Sequence, residues 1–157
     1  MNGPVIHLRA ADLADLPALE EIEQQSFSGD RLSRRSLRHL LTGAHAINLV
    51  AERTGRVVGY ITVLLRRGSA SARVYSLAVD PEARGARIGA RLLEAAEEAA
   101  AVQGMAWMRL EVRADNGAAI HRYLEAGYGQ FATEHDYYED GETALKFEKA
   151  LRRGSRR

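Results

Sequence analysis

The spacing of apolar and polar residues along this 157-residue chain predicts its strands and helices. Segments in which every second residue is apolar indicate strands, whereas apolar residues three and four apart indicate helices. In chain order the prediction is strand 5–9, a helix from 12 or 15 to 26, helix 33–41, strands 46–53, 57–65 and 72–79, a helix ending near 101, strand 105–112, a helix from 115 to 127, and strands 128–138 and 143–151. This β-α-α-β-β-β-α-β-α-β-β order is typical of an α/β protein with a mixed sheet and helices on both faces.

Composition narrows the class of protein. The length fits a single domain, which we place at residues 1–151, followed by a basic tail at 152–157 that we expect to be disordered. The 22 basic and 21 acidic side chains leave a net charge of +1, so no overall field attracts nucleic acid or an anionic membrane. The chain has no cysteine, which excludes thiol catalysis and disulfides. Since it has no secretion signal or membrane-spanning run, we expect a cytoplasmic protein.

The most distinctive segment runs from the strand ending at Val79 through a loop rich in arginine and glycine into a helix. The first N–H groups of a helix have no intrahelical partner and the dipole is positive there, so a phosphate or pyrophosphate fits. Gly85 and Gly89 permit close approach, and Arg84 and Arg87 add cationic donors. The segment matches neither the dinucleotide motif nor the nucleotide P-loop. The alternative is an ordinary strand-to-helix connection.

Three separate blocks resemble the GNAT superfamily of acyl-CoA-dependent N-acetyltransferases, and the similarity covers about residues 5–151. Val79-Asp80-Pro81 with Arg84-Gly-Ala-Arg-Ile-Gly89 is similar to the family's Q/R-x-x-G-x-G/A pyrophosphate loop. Residues 110–120 with 123–128, and 136–141 with 144–145, resemble the bacterial ribosomal-protein-alanine N-acetyltransferases, which acetylate a protein's N-terminal amine. The resemblance implies a GNAT-like fold with about seven mostly antiparallel strands and about four flanking helices.

The resemblance also implies that acetyl-CoA is the co-substrate, with its pantetheine arm beside the end of strand 72–79. The implied cofactor-binding residues are Leu77, Ala78, Val79, Arg84, Gly85, Ala86, Arg87, Ile88, Gly89, Ala90 and Asn116. Arg87 departs from the family pattern because it stands where the first glycine is expected, and a left-handed backbone there would be unfavourable for it. The five histidines lack a metal-binding spacing, so we expect no metal.

Two residues are implied to move protons. Glu111, in the Leu110-Glu-Val-Arg113 block, corresponds to the family's general base, and Tyr123 to the general acid that protonates the departing thiolate. The residues themselves allow other interpretations. Alternation places Glu111 between Arg109 and Arg113 on one strand face, which is compatible with an ion-paired stripe. A tyrosine inside a helix is often a core residue.

Two further groups of residues concern the acceptor. The resemblance places Tyr137 and Tyr138, on the last hairpin, against the acceptor peptide; the alternative is a cross-strand aromatic pair. Arg31, with the basic residues at 34, 35, 38, 66 and 67, forms either a rim that selects acidic groups or a solvated face. The segment 28–38 lacks the aromatic, proline-containing character of the ribosomal-protein enzymes.

The predicted function is acetyl transfer from acetyl-CoA to a primary amine, by direct attack in a ternary complex. The expected acceptor is a protein N-terminus, and the alternatives are a small-molecule amine or a protein lysine. A non-catalytic acyl-CoA-binding module is the alternative outside the enzymes, although such a module would need neither Glu111 nor Tyr123. We expect a monomer or a homodimer.

Overall fold

The computed structural model describes residues 5–26, 32–43, 45–83 and 86–152. Within these ranges the chain forms seven strands and four α-helices, in the predicted order. The strands are β1 (Ile6–Ala10), β2 (Ala46–Arg53), β3 (Arg56–Leu64), β4 (Ser71–Val79), β5 (Trp107–Arg113), β6 (Gly129–Glu134) and β7 (Ala144–Ala150). The helices are α1 (Leu16–Ser26), α2 (Arg34–Thr42), α3 (Ile88–Val102) and α4 (Gly117–Glu125), with single 3₁₀ turns at Leu13–Asp15 and Pro81–Ala83.

All seven strands join one sheet in the order β1-β2-β3-β4-β5-β7-β6. Neighbours are antiparallel except β4 and β5, which are parallel. The parallel pairing is short, because it joins only residues 71–73 to residues 107–109. The predicted mixed, mostly antiparallel sheet is therefore confirmed, and its one parallel contact divides it into two parts.

A bulge in β4 explains why the parallel pairing stops. Thr62 pairs with Ser76 and Val63 with Val74, so Tyr75 is an extra residue on β4. A bulge of this kind bends its strand and increases the local twist. Beyond it β4 stays paired with β3 and has no partner on the β5 side. The sheet therefore opens between the two strands.

The helices cover both faces of the sheet. Tyr60 packs with α1 and α2, whereas the next residue on β3, Ile61, packs with α3, as the alternation of a strand requires. Ser33 caps α2 through its side chain, and Asp12 and Asp15 form a capping box before α1. None of the described helices has the length and apolar character needed to cross a membrane.

Turn residues set most element ends as predicted, with one exception. Thr54 and Gly55 have φ values of 54° and 76° and form a two-residue turn between β2 and β3, at the break between the predicted strands 46–53 and 57–65. The last hairpin differs, because β6 ends at Glu134 and β7 begins at Ala144. Asp136 has a φ of 57°, which stops the strand, and the N–H groups of Tyr137 and Tyr138 donate to the Glu142 carbonyl. The two tyrosines therefore lie in the connection and not on strands.

Candidate active site

A groove of about 1580 Å³ opens where β4 and β5 separate. Its lining brings together residues 74–79 of β4, residues 87–90 at the start of α3, residues 110–113 of β5, and Asn116, Ala119 and Tyr123 around α4. Most of the residues implied to bind the cofactor therefore meet in one place. Ala86 is exposed beside the groove, while Arg84, Gly85 and Arg31 lie outside the described residues. The binding roles themselves stay predictions.

The edge of β4 that faces the groove has unpaired main-chain groups. On its other edge Leu77, Ala78 and Val79 pair with Ile61, Tyr60 and Gly59 of β3. Because every backbone N–H and C=O needs a partner, an unpaired strand edge is a template for an extended ligand with amides of its own. The side chains of these β4 residues can meanwhile belong to the core, as Ala78 does.

The start of α3 lines another part of the groove. Arg87 is the residue before the helix, with φ 54° and ψ 34°, and its side chain makes no capping hydrogen bond. The residue at the expected glycine position is therefore left-handed, a conformation that costs a residue with a Cβ about 1–2 kcal/mol. Its guanidinium is largely exposed and lies 3.9 Å from Glu94.

Glu111 lies on β5 and its carboxylate is bound by an arginine that the sequence analysis did not identify. Nε of Arg73, on β4, donates to Oε1 of Glu111 at 2.9 Å. In the ion-paired stripe considered as an alternative, Arg109 contacts Glu148, and Arg113 contacts Asp115 and Asp140. Arg73 also donates to the Tyr137 hydroxyl at 3.3 Å, so it connects both separated strands to the β6–β7 connection.

Tyr123 on α4 points into the same groove. Its side chain is buried, packs edge-to-face on Tyr128 at 5.8 Å, and makes no hydrogen bond within the described part of the chain. Burial raises the pKa of the Tyr123 hydroxyl, so the group carries its proton at neutral pH. Asn116 caps α4, since its side chain accepts from the N–H of Ala119 at 3.1 Å. Glu111 and Tyr123 thus bring a carboxylate and a protonated phenol to the same groove from two different elements.

A buried carboxylate on α1 also reaches the groove. Glu23 is 1% exposed and accepts from the Leu32 N–H at 2.6 Å, from the Ser76 hydroxyl at 3.1 Å and from the Tyr60 hydroxyl. Burial and the Glu23 charge raise the pKa of Tyr60 well above its ordinary value. These bonds connect α1 to β4 just after the bulge and to the chain leading into α2. The sequence contains one indication of this buried carboxylate: Glu23 lies on the same helix face as the apolar residues Leu16, Leu19 and Ile22.

Tyr137 and Tyr138 lie in the β6–β7 connection. Their rings form an edge-to-face pair at 4.9 Å. Tyr138 lines the groove, and the guanidinium of Arg113 lies 5.0 Å from its ring centre. The cross-strand pair considered as an alternative is excluded, because neither residue is on a strand.

Comparisons with known proteins agree with this architecture. The model of the acetyltransferase (GNAT) family matches residues 15–128. An uncharacterized N-acetyltransferase of Methanocaldococcus jannaschii is 35% identical over 139 residues, 88% of this chain and 87% of the relative. The ribosomal protein bS18-alanine N-acetyltransferase of Escherichia coli strain K12 is 26% identical over 131 residues, 83% and 86% of the two chains. The crystal structure of the ribosomal-protein-S18-alanine N-acetyltransferase from E. coli has a TM-score of 0.85 at 25% identity, over 96% of this chain and 97% of that one.

Proposed function

The chain belongs to the GNAT family of acetyltransferases, and we propose that it transfers an acetyl group from acetyl-CoA to the N-terminal α-amine of a protein. The observation that carries the proposal is that Glu111 and Tyr123, from different elements, line one groove beside the unpaired edge of β4. The acceptor class is supported by the E. coli proteins, which are named as alanine N-acetyltransferases of a ribosomal protein.

The groove fits acetyl-CoA in shape and in chemistry. The start of α3 suits the pyrophosphate, because its free N–H groups and positive dipole face the groove. We assign residues 87–90 to this role, with Asn116 nearby, and residues 77–79 to the amides of the pantetheine arm. When bound, acetyl-CoA supplies the acetyl group as an activated thioester. A main-chain N–H of β4 would polarise the thioester carbonyl.

Glu111 acts as the general base in this proposal. Its carboxylate takes a proton from the acceptor amine, directly or through water. The hydrogen bond from Nε of Arg73 holds the Glu111 carboxylate in place beside the groove. An N-terminal amine has a reference pKa near 8, so an appreciable fraction is already neutral and able to attack.

Tyr123 acts as the general acid. Its side chain is buried, and its hydroxyl holds its proton at neutral pH and has no competing acceptor among the described residues. A donor in this position can give its proton to the departing sulfur and prevent return of the thiolate. The two residues thus divide the proton transfer between β5 and α4.

The test is thiol release from acetyl-CoA with three kinds of acceptor: N-terminal peptides, lysine peptides and small amines. We expect turnover with the N-terminal peptides. Glu111→Gln and Tyr123→Phe should each lower kcat by about 10²–10⁴-fold and leave the Kd of CoA nearly unchanged, since neither change removes a phosphate or amide partner.

Matched controls separate catalysis from folding. Glu148→Gln removes another carboxylate paired with an arginine of the same sheet, and Tyr128→Phe removes the hydroxyl next to Tyr123. Both controls should keep most of the turnover. Unchanged turnover in Glu111→Gln and Tyr123→Phe would contradict the assigned roles, and turnover confined to lysine peptides or small amines would overturn the proposed acceptor.

A further inference from the structure

A second, smaller cavity of about 400 Å³ lies between α2 and β4. Its lining consists of Arg35, Ser36, His39, Leu40 and Tyr75. Tyr75, the extra residue of the β4 bulge, lines the large groove as well. The cavity is therefore a side branch at the end of the groove nearest Arg73 and Glu111, and the proposed mechanism does not use it.

The charge of this cavity is positive. None of its lining residues is acidic. Arg35 is exposed and has no ion-pair partner within the described parts of the chain, whereas its neighbour Arg34 contacts Glu20 at 2.7 Å. On the groove side of Tyr75 the guanidinium of Arg73 lies 5.7 Å from the ring centre, and Glu111 already compensates its charge. Arg35 is thus the cation of this cavity that is left without a carboxylate.

Arg73 links the site to the cavity, since it donates to Glu111 at 2.9 Å and its guanidinium lies 5.7 Å from the Tyr75 ring centre. Arg73 and Tyr75 are two positions apart on β4, which corresponds to about 6–7 Å along a strand. A peptide whose N-terminal amine lies at Glu111 advances by about the same amount over its next two residues. A peptide that runs along β4 in this direction would bring its second or third side chain to Tyr75.

We propose, on the basis of the function proposed above, that this cavity binds an acidic side chain at the second or third residue of the acceptor, with Arg35 as the specificity-determining residue. The aromatic ring of Tyr75 and the side chain of Leu40 would contact the apolar part of the aspartate or glutamate. The guanidinium of Arg35 would pair with its carboxylate, a planar match that lysine does not offer.

The experiment compares peptides that share one N-terminal residue and carry Asp, Asn or Lys at position two or three. For the unchanged protein we expect kcat/KM to favour Asp over Asn by about 3- to 10-fold at one of these positions, and over Lys by more. Arg35→Gln should remove the preference and Arg35→Glu should reverse it toward Lys, with no loss in the Kd of CoA.

The matched control is Arg34→Gln, which removes the same charge from the same turn of α2 without touching the cavity. Neither substitution threatens folding, because a cation near a helix N-terminus is not stabilising there. Equal rates for the Asp, Asn and Lys peptides would overturn the inference, as would equal losses of preference in Arg34→Gln and Arg35→Gln. Absence of turnover with every N-terminal peptide, beside turnover with another amine, would instead refute the proposed acceptor and the inference with it.

Discussion

The left-handed conformation of Arg87 gives a prediction whose sign depends on the backbone. We consider two substitutions, Arg87→Gly and Arg87→Ala. Both remove the guanidinium and its 3.9 Å contact with Glu94, in which both side chains are about two-thirds exposed or more. That contact contributes little to stability and is lost equally in the two variants. The difference between their free energies of unfolding therefore depends on the backbone conformation of residue 87 and not on its charge.

The size of the difference follows from φ 54° and ψ 34°. Relief of the left-handed strain favours glycine by about 1–2 kcal/mol. The greater freedom of glycine in the unfolded chain favours alanine by about 0.4–1 kcal/mol. The net expectation is that Arg87→Gly is more stable than Arg87→Ala by about 0.5–1 kcal/mol. If residue 87 were instead right-handed and helical, alanine would be the more stable by about 0.5–1 kcal/mol.

The assay is urea unfolding of both variants, with the free energy of unfolding compared at equal m values. For a chain of this size the expected difference corresponds to about 1–4 °C in Tm. A higher stability for Arg87→Ala would refute the left-handed assignment. It would also remove the reason to regard Arg87 as a strained substitute for the family's glycine.

Three further predictions concern the neighbouring elements. Glu23→Gln should lower the free energy of unfolding by about 1–3 kcal/mol, because an amide cannot accept from the Leu32 N–H and from the hydroxyls of Tyr60 and Ser76 together. Urea unfolding measures this loss, and a loss no larger than that of Tyr60→Phe would contradict the prediction. Asn116→Ala should lower the free energy of unfolding by about 1 kcal/mol and Asn116→Asp by less, since only the aspartate side chain can still accept from the Ala119 N–H. The Arg9 hydrogen bond lowers the pKa of Asp15, so its stabilisation is present above the unfolded pKa of about 3.8 and is lost as pH falls through the folded pKa. Urea unfolding of Asp15→Asn and the unchanged protein should accordingly differ at pH 7 and converge in acid.

Local sequence patterns predicted the helices and strands well where residues close in sequence determine their ends. Asp12, Ser33 and the Thr54–Gly55 turn act within a few residues, and the elements that they bound lie close to the predicted ranges. The last hairpin was predicted too long, because a segment with several tyrosines has high strand propensity. The left-handed Asp136 and the bonds to the Glu142 carbonyl override that propensity.

The partners of the site residues depend on distant pairing, which no local pattern contains. Arg73 reaches Glu111 only because residues 71–73 of β4 pair in parallel with residues 107–109 of β5. Alternation correctly placed Arg109 and Arg113 on the face of Glu111, but it could not show that they also contact carboxylates of β7 and of loops. The backbone conformation of Arg87 could not be predicted from the local sequence either, since an arginine in such a loop can adopt a right-handed or a left-handed backbone.

The bulge at Tyr75 links the groove, the buried network and the side cavity. Removing one residue from a strand reverses the side to which every later residue points. Without Tyr75, the side chains after it would point to the opposite face of the sheet, so the Ser76 hydroxyl would no longer reach Glu23. The main-chain groups of Leu77–Val79 that now face the groove would then face β3. The same bulge also ends the pairing with β5 and places Tyr75 between groove and cavity. The proposed donor binding and the proposed acceptor choice would therefore both depend on one irregularity in β4, and substitutions on either side of it should be tested for both.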